Sequence, residues 1–187
     1  GGVQLTGNIV ARRYAKALFA LAKKAGKKAP AEYGKDLEAF ASVLEGSPDL
    51  LKVFANPIIS ADVKKSVLSG VAGKIGLKPM VINFLSLLAD KDRVPCVLEV
   101  SALYRTLLDE AEGVMRGQLV TAFALADARQ DQIKVKLEKQ SGKKLVLSFA
   151  VDPSIIGGVV LKVGDKVLDA SLRAQLEILK EQIKRGE

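Results

Sequence analysis

The sequence predicts an α+β protein, with an N-terminal six-helix bundle over residues 1–112 followed by a small C-terminal α/β domain over residues 113–187. Up to about Glu112, apolar residues recur at the spacing of helices, whereas from Met115 onwards the period becomes that of strands. Glycine and proline breaks divide the first half into six segments. Because 49% of the 187 residues are hydrophobic, both halves have enough apolar side chains to bury a core.

The first three predicted helices follow from these breaks. The first runs from about Ile9 to Ala25 and stops at Gly26, because glycine readily takes the left-handed conformation at a helix end. Its apolar side consists of Ala11, Tyr14, Ala15, Leu18, Leu21, Ala22 and Ala25. The second helix lies near residues 32–45, and the third is the short segment PDLLKVFAN.

The next three helices complete the first half. The fourth starts after Ser60, whose hydroxyl can accept a hydrogen bond from a backbone amide of the first turn. The fifth follows Pro79. The sixth runs from Val94 to Glu112, and its apolar residues repeat at close to 3.5 positions.

The second half predicts the element order β-α-β-β-β-α. The segment GQLVTAFAL is apolar and β-prone, residues 128–141 return to helical spacing, and KLVLSFAV is a second strand. Two further strands and a last helix follow within residues 155–183. We expect the two helices to pack on one face of the sheet.

The third and fourth strands form a predicted β-hairpin. A β-branched run at 159–163 and a second run at 167–168 are joined by Gly164-Asp165, a pair typical of a two-residue turn. The pair Gly157-Gly158 indicates a bulge or a close backbone approach before the hairpin. Ser171 can then cap the last helix.

The residue inventory excludes several classes of enzyme. The chain has no histidine, which excludes Ser-His-Asp and Cys-His catalysis and zinc sites built on histidine. Its one cysteine, Cys96, lies in an apolar stretch, which favours a buried side chain over a reactive thiol. Acidic residues cluster at 90–92 and 109–112, but each cluster ends a helix among basic residues, which favours solvated charges over a general acid and base. We therefore expect no catalytic residue, no metal and no cofactor.

The chain is basic, with a formal net charge of +8. Such a charge raises nucleic acid or an acidic surface as a partner. The excess is spread out, because residues 1–112 carry 16 basic and 12 acidic side chains and residues 113–187 carry 13 and 9. Aromatic residues make up only 5% of the chain, too few for a platform that stacks bases. We therefore expect no nucleic-acid partner. A basic nucleic-acid-binding module is kept as the alternative function, because the net charge alone favours it.

The fifth helix has more apolar residues than one core-facing side can absorb. They are Met80, Val81, Ile82, Phe84, Leu85, Leu87 and Leu88. Either this helix is central and surrounded by its own bundle, or one face is left for a partner helix. The first helix raises the same question, because the small residues Ala17 and Ala20 lie outside its main apolar stripe and permit close approach. The residues leave both interpretations open.

The last helix has a narrow apolar seam. Leu172, Leu176, Leu179 and Ile183 follow one another at i, i+4, i+7 and i+11, and Ile178 lies off the seam. In one interpretation the seam docks on the sheet and Ile178 is an isolated surface residue. In the other, this end of the molecule receives a long helical partner through Leu176, Ile178, Leu179 and Ile183.

Three segments resemble the delta subunit family of bacterial and chloroplast F-type ATP synthases, which includes the mitochondrial oligomycin sensitivity-conferring protein. They are VARRYAKALFALA at 10–22, FLSLLADKDRVPCVLEV at 84–100 and IGGVVLKVGDKVLDASLRAQLEIL at 156–179. The third is the most specific, because the double glycine, the Gly-Asp turn and the Asp-x-Ser-Leu-Arg cap occur together in the right order.

The resemblance implies a noncatalytic stator connector. In this family the helical domain binds the N-terminal helix of an alpha subunit at the top of the catalytic head, through its first and fifth helices. The α/β domain binds the C-terminal end of the b subunit in the peripheral stalk, so that the head resists rotor torque during proton-driven ATP synthesis. The alpha-binding positions that carry over are Tyr14, Ala17, Leu21, Phe84, Leu87 and Leu88.

The resemblance also implies a location. We expect the cytoplasmic face of the bacterial inner membrane or, alternatively, the chloroplast stroma or the matrix side of mitochondria. Association with the membrane is expected to be indirect, through the complex, because the sequence has no run of about 18 apolar residues that could span a bilayer.

Overall fold

The structure, a computed structural model, describes residues 2–155, 159–162 and 170–185, and for residues 2–8 and 170–175 the backbone alone. These residues form eight α-helices, one short 3-10 helix and three strands. The chain divides into two compact units, Gly1–Leu108 (unit 1) and Asp109–Glu187 (unit 2). This division lies four residues before the predicted domain boundary at residue 112.

Unit 1 is built from helices. They are α1 (Gly2–Ala25), α2 (Ala29–Gly46), α3 (Pro48–Ala55), α4 (Ala61–Ile75) and α5 (Pro79–Asp90), followed by a 3-10 turn (Val94–Cys96) and α6 (Val97–Glu112), whose last residues belong to unit 2. Helices α1 and α2 begin earlier than the sequence predicts, at Gly2 and Ala29. No proline stands between Gly2 and Ile9 to stop α1. Pro30 lies in the first turn of α2, where a missing N–H costs no helical hydrogen bond.

The predicted ends of α1 and α4 agree with the structure. The Ser60 hydroxyl accepts a hydrogen bond from the Val63 N–H at 3.4 Å, which caps α4. Gly76 ends that helix at φ +71°, and Gly26 follows α1 at φ +142°. Both angles suit glycine, which has no Cβ to obstruct them.

The core of unit 1 is built from buried side chains of all six of its α-helices. Tyr104 of α6 is fully buried, lies edge-to-face with Phe19 at a centroid distance of 5.4 Å, and donates a hydrogen bond to the Pro30 carbonyl at 2.9 Å. A Cβ at Gly34 would approach the Tyr104 ring to 3.3 Å, so glycine lets α2 pack closely against α6. This packing ties the start of α2 to the middle of α6.

Unit 2 has a three-stranded sheet and two helices among its described residues. They are β1 (Val114–Thr121), α7 (Asp127–Ser141), β2 (Lys144–Val151), β3 (Val159–Lys162) and α8 (Ala170–Lys184). The strand order is β2-β1-β3, with β1 parallel to β2 and antiparallel to β3. The prediction of β2 is confirmed. The first strand was predicted at 117–125, but β1 spans Val114–Thr121. Its ends coincide with those of β2, because Val114 pairs with Lys144 and Thr121 with Val151.

One face of this sheet carries the core of unit 2. Met115, Leu119 and Leu145 are buried there with side chains of α7 and α8. The predicted turn Gly164-Asp165, the second hairpin run and the pair Gly157-Gly158 lie outside the described residues. The side chain of Ser171 does so too, and because α8 begins at Ala170, this residue belongs to the first turn of the helix.

A buried ion pair joins α4 to the corner after α5. Lys64 is fully buried, and its ammonium group donates to Asp92 Oδ1 at 2.5 Å. The Asp92 side chain is 52% exposed, and its backbone is left-handed with φ +53°. The lysine therefore depends on this carboxylate more than the carboxylate depends on the lysine.

We expect Asp92→Asn to destabilise unit 1 more than Lys64→Met does. Asparagine tolerates the left-handed backbone but removes the charge facing a buried ammonium group, at a cost of about 1–3 kcal/mol. Methionine leaves the carboxylate in water and fills the space with an apolar chain, so the cost should be less than about 1 kcal/mol. Urea unfolding followed by tyrosine fluorescence reports on unit 1 alone, because all three tyrosines lie in it. Equal costs would contradict this prediction.

A second prediction concerns alkaline pH. Burial raises the pKa of the Tyr104 phenol above its ordinary value, and Tyr33 adds to the effect. The folded state thus keeps a proton that the unfolded state releases above about pH 10, so the stability that depends on this proton is complete below that pH and falls as the pH rises further. Tyr104→Phe should lower the free energy of unfolding at neutral pH, and the gap to the unchanged protein should narrow above about pH 10. Urea unfolding followed by circular dichroism across this range would show it, and a constant gap would refute it.

Candidate functional site

An aromatic pair joins α1 to α5. The ring centroids of Tyr14 in α1 and Phe84 in α5 are 6.0 Å apart, and the ring planes meet at 77°, a favoured edge-to-face arrangement. Phe84 belongs to the core, whereas Tyr14 is half-buried. The two rings therefore pack the facing sides of α1 and α5 against each other, and the Tyr14 ring is partly exposed to solvent.

Arg93 covers the same tyrosine from the corner that follows α5. Its Nη1 donates a hydrogen bond to the Tyr14 hydroxyl at 2.8 Å, and its Cζ lies 5.8 Å from the ring centre. The left-handed Asp92 turns the chain, and the Arg93 N–H donates to the Leu88 carbonyl at 2.8 Å. Arg93 is absent from the predicted site residues. In the sequence, Arg93 could have been identified as a basic residue just after the end of α5, where the chain turns back.

Exposed apolar side chains lie on both sides of this contact. On α1, Leu21 stands two turns after Tyr14 and is 47% exposed. On α5, Met80 and Leu87 stand one turn before and one turn after Phe84 and are 37% and 47% exposed. With the exposed Ala17, these residues form a surface that we call the α1/α5 surface. It consists of Tyr14, Ala17, Leu21, Met80 and Leu87.

The six residues predicted for the alpha-subunit contact lie at different depths. Ala17, Leu21 and Leu87 are exposed, Tyr14 is half-buried, and Phe84 and Leu88 are buried. Leu88 has no accessible surface, so it supports the surface from beneath. One side of α5 therefore packs in its own unit and the other leaves Met80 and Leu87 in solvent, so the helix is not surrounded by its own bundle. A partner helix on the exposed side stays a prediction.

Three residues of the α8 seam lie inside unit 2, and the side chain of the fourth, Leu172, is outside the described residues. Leu176, Leu179 and Ile183 are buried in the core that the sheet and α7 share. This is the arrangement in which the seam docks on the sheet, and it corrects the idea that these three residues offer a free surface. Sequence spacing cannot decide between the two, because an apolar seam looks the same whether a sheet or a partner covers it. Ile178, at 46% exposed, is the predicted stalk-binding residue that a partner can reach.

Charged and polar side chains surround Ile178. Together with it, Glu177, Glu181, Gln182 and Arg185 line a shallow depression along α8. Glu177 pairs with Lys180 at 3.0 Å, one turn further along the helix. An apolar centre with a rim of both charge signs is the usual anatomy of a small protein contact.

Cys96 is a poor nucleophile in this structure. The side chain is half-buried, and burial raises the pKa of its thiol, with a smaller contribution from Glu99 that outweighs the opposing effect of Arg93. Since the thiolate is the reactive form, a raised pKa keeps the group unreactive at neutral pH.

The acidic clusters take part in structural ion pairs. Asp90 pairs with Lys65, Asp92 with Lys64, and Asp109 with Arg116 at 2.7 Å. Within the described ranges, no group of three or more histidine, cysteine or acidic side chains is placed to hold a metal ion. In the same ranges, no helix has the length and apolar character to cross a membrane.

Comparison with known proteins shows what this chain is similar to. A family model described as the ATP synthase delta (OSCP) subunit matches residues 10–183. ATP synthase subunit delta of Solidesulfovibrio magneticus is 99% identical over 183 residues, which are 98% of this chain and 100% of that protein. The protein of the same name from Nitratidesulfovibrio vulgaris is 54% identical over 183 residues, with the same coverage.

A solved structure has a similar fold. A chain in the cryo-EM structure of the Toxoplasma gondii mitochondrial ATP synthase hexamer matches with a TM-score of 0.62 and 29% sequence identity. The match covers 93% of this chain and 97% of that one.

Proposed function

Because this chain belongs to the ATP synthase delta (OSCP) subunit family, we propose that it is the stator connector of an F-type ATP synthase. It is a noncatalytic subunit of that complex. In this proposal, residues 1–112 form the family's six-helix bundle and bind the N-terminal helix of an alpha subunit. Residues 113–187 bind the C-terminal end of the peripheral-stalk b subunit. The chain thereby holds the catalytic head against the torque of the rotor.

The α1/α5 surface is the observation that carries the proposal. Leu21, Met80 and Leu87 are large apolar side chains left in solvent beside a fixed aromatic pair. A partner helix with an apolar stripe would cover them, as in other helix-in-groove contacts. Ala17 supports this arrangement, because its short side chain allows the backbone of a second helix to come near.

The proposed joint suits a mechanical role. Full burial of one large apolar side chain is worth about 1.5–3 kcal/mol, so completing the burial of three half-exposed ones gives a few kcal/mol. Such a contact tolerates salt and dissociates slowly if its centre is well packed. Because Tyr14 and Phe84 already hold α1 against α5, little rearrangement is needed before the partner binds.

The proposed contact with the stalk lies on the exposed side of α8. Ile178 supplies its apolar centre, while Leu176, Leu179 and Ile183 hold the helix on the sheet from beneath. Residues 113–187 carry 13 basic and 9 acidic side chains, so an acidic stretch on the stalk would be attracted to them.

The proposed location is the cytoplasmic face of the bacterial inner membrane, at the periphery of the complex. Two bacterial relatives with high coverage of this chain support a bacterial setting over a chloroplast or a mitochondrion.

Aspartate in the α1/α5 surface should weaken alpha-subunit binding. Ala17→Asp and Leu87→Asp would each place an unpaired charge in an apolar contact, and we expect a loss of about 2–4 kcal/mol. Isothermal titration of the full chain with a synthetic peptide of the alpha-subunit N-terminal segment measures this loss. Ile58→Asp is the control, because Ile58 is 90% exposed in the loop between α3 and α4. If Leu87→Asp and Ile58→Asp bind the peptide equally well, the α1/α5 surface is not the binding site.

Aspartate at Ile178 should weaken stalk binding in the same way. We expect Ile178→Asp to reduce the affinity of the full chain for a soluble C-terminal segment of the b subunit by about 1–3 kcal/mol. Val135→Asp is the matched control, because Val135 is also an exposed apolar residue on a helix of unit 2. The association rate should fall as salt is added if charge contributes. An unchanged affinity for Ile178→Asp would remove this face of α8 from the site.

A further inference from the structure

The net positive charge of unit 1 comes from α1 and the few residues that follow it. Residues 1–31 contain seven lysine and arginine residues and no aspartate or glutamate, whereas residues 32–112 contain nine basic and twelve acidic residues. All seven cations are exposed. The positive charge of residues 1–112 is therefore not evenly spread, because residues 1–31 have a net charge of +7 and residues 32–112 a net charge of −3.

Contacts of α1 with α5 and α6 define two flanks of the helix. The Tyr14 side of α1 faces α5, because Tyr14 packs on Phe84. The Phe19 side faces α6, because Phe19 packs on Tyr104, and the Lys23 ammonium group lies 5.1 Å from the centre of the Phe19 ring.

Arg13 and Lys24 stand on the flank next to the α1/α5 surface. Arg13 precedes Ala17 by one turn, and Lys24 follows Leu21 by one turn. Arg12 and Lys23, their neighbours in sequence, point about 100° further round the helix, towards the α6 flank. In the described part of the chain, none of the four forms an ion pair with a carboxylate.

The opposite rim of the α1/α5 surface, on α5, has less positive charge than α1. Its exposed positions Met80, Asn83 and Leu87 are uncharged, the carboxylate of Asp90 is paired with Lys65, and the C-cap residue Lys91 is an exposed cation. Arg93 adds a further cation at Tyr14, where α1 and the corner after α5 meet. Positive charge beside the α1/α5 surface is therefore greater along α1, with Arg13 and Lys24, than along α5, where Lys91 stands at the helix end.

We propose that the α1/α5 surface selects a partner helix that is apolar on one stripe and acidic on the flank that lies over α1. This inference rests on the helix-binding function proposed above and adds the charge and the orientation of the partner. Arg13 and Lys24 are eleven residues apart, or about 16 Å along a helix, so the acidic side chains that meet them stand about three turns apart. The charged flank sets which way round the helix docks, and the apolar stripe holds it.

A nucleic acid fits this surface less well. The cations flank exposed leucine and methionine side chains, which a phosphate backbone would not cover. The aromatic rings on α1 are turned inward, with Phe19 buried and Tyr14 half-buried against Phe84, so they offer no platform for bases.

Two double variants with the same change in charge test the proposal. Arg13→Glu with Lys24→Glu reverses the flank beside the α1/α5 surface, and Arg12→Glu with Lys23→Glu reverses the other. Both are made in the full chain and titrated, at low and at moderate salt, with the alpha-subunit N-terminal peptide and with a peptide whose acidic residues are replaced by their amides. We expect the first pair to lower the affinity for the acidic peptide roughly tenfold at low salt and the second by less than about twofold. The amide peptide should bind both variants alike.

The outcomes separate this inference from the proposed function. If Leu87→Asp abolishes peptide binding but the two double variants bind equally, the helix site stands and the acidic flank is wrong. If Leu87→Asp has no effect, the helix site itself is wrong. Circular dichroism of each double variant shows whether the protein is still folded. If a double variant is unfolded, the single variants Arg13→Glu and Arg12→Glu are compared instead. Saturable binding of duplex or single-stranded oligonucleotides at moderate salt, lost equally in both double variants, would overturn the proposal in favour of nucleic acid.

Discussion

The contact between Tyr14 and Phe84 fixes the geometry on which the α1/α5 surface depends. Phe84 is anchored in the core of unit 1, so the tyrosine that packs on it sets the rotation of α1 about its own axis. That rotation decides which side chains of α1 reach solvent. With Tyr14 turned inward towards α5, Leu21 and Ala17 come to lie along the outer edge of the contact.

The corner after α5 reinforces this contact from a second direction. Asp92 binds the buried ammonium group of Lys64 in α4, and the next residue, Arg93, binds the hydroxyl of Tyr14 in α1. Two consecutive residues of opposite charge thus connect three helices. Because the lysine is buried and needs its carboxylate, the corner holds its left-handed turn, and the arginine stays above the tyrosine. In the proposed stator role, a surface whose shape is set before the partner arrives would lower the cost of binding.

Elements with strong local signals were predictable from the sequence, and those set by a distant partner were not. Ser60 and Gly76 mark the two ends of α4, because a cap and a left-handed glycine are local devices. The first strand of unit 2 shows the opposite case. The apolar run continues to Leu125, but β1 ends at Thr121, where its partner β2 also ends, and Phe123 is half exposed. Pro30 was ambiguous for a different reason, because proline is compatible with a break and also with the first turn of a helix.

Some features of the candidate site were likewise predictable from local sequence, and others depend on residues that are distant in the chain. The family resemblance, the two-part organisation, the lack of histidine and the excess of apolar side chains on α1 and α5 can all be read from the residues alone. Which of those side chains remain in solvent depends on how the helices pack. Periodicity shows that residues share a face, but a face covered by the protein's own sheet or helices looks the same in sequence as one left for a partner. Leu176, Leu179 and Ile183 of α8 are covered, whereas Leu21 and Leu87 are exposed, because burial depends on what packs against a residue.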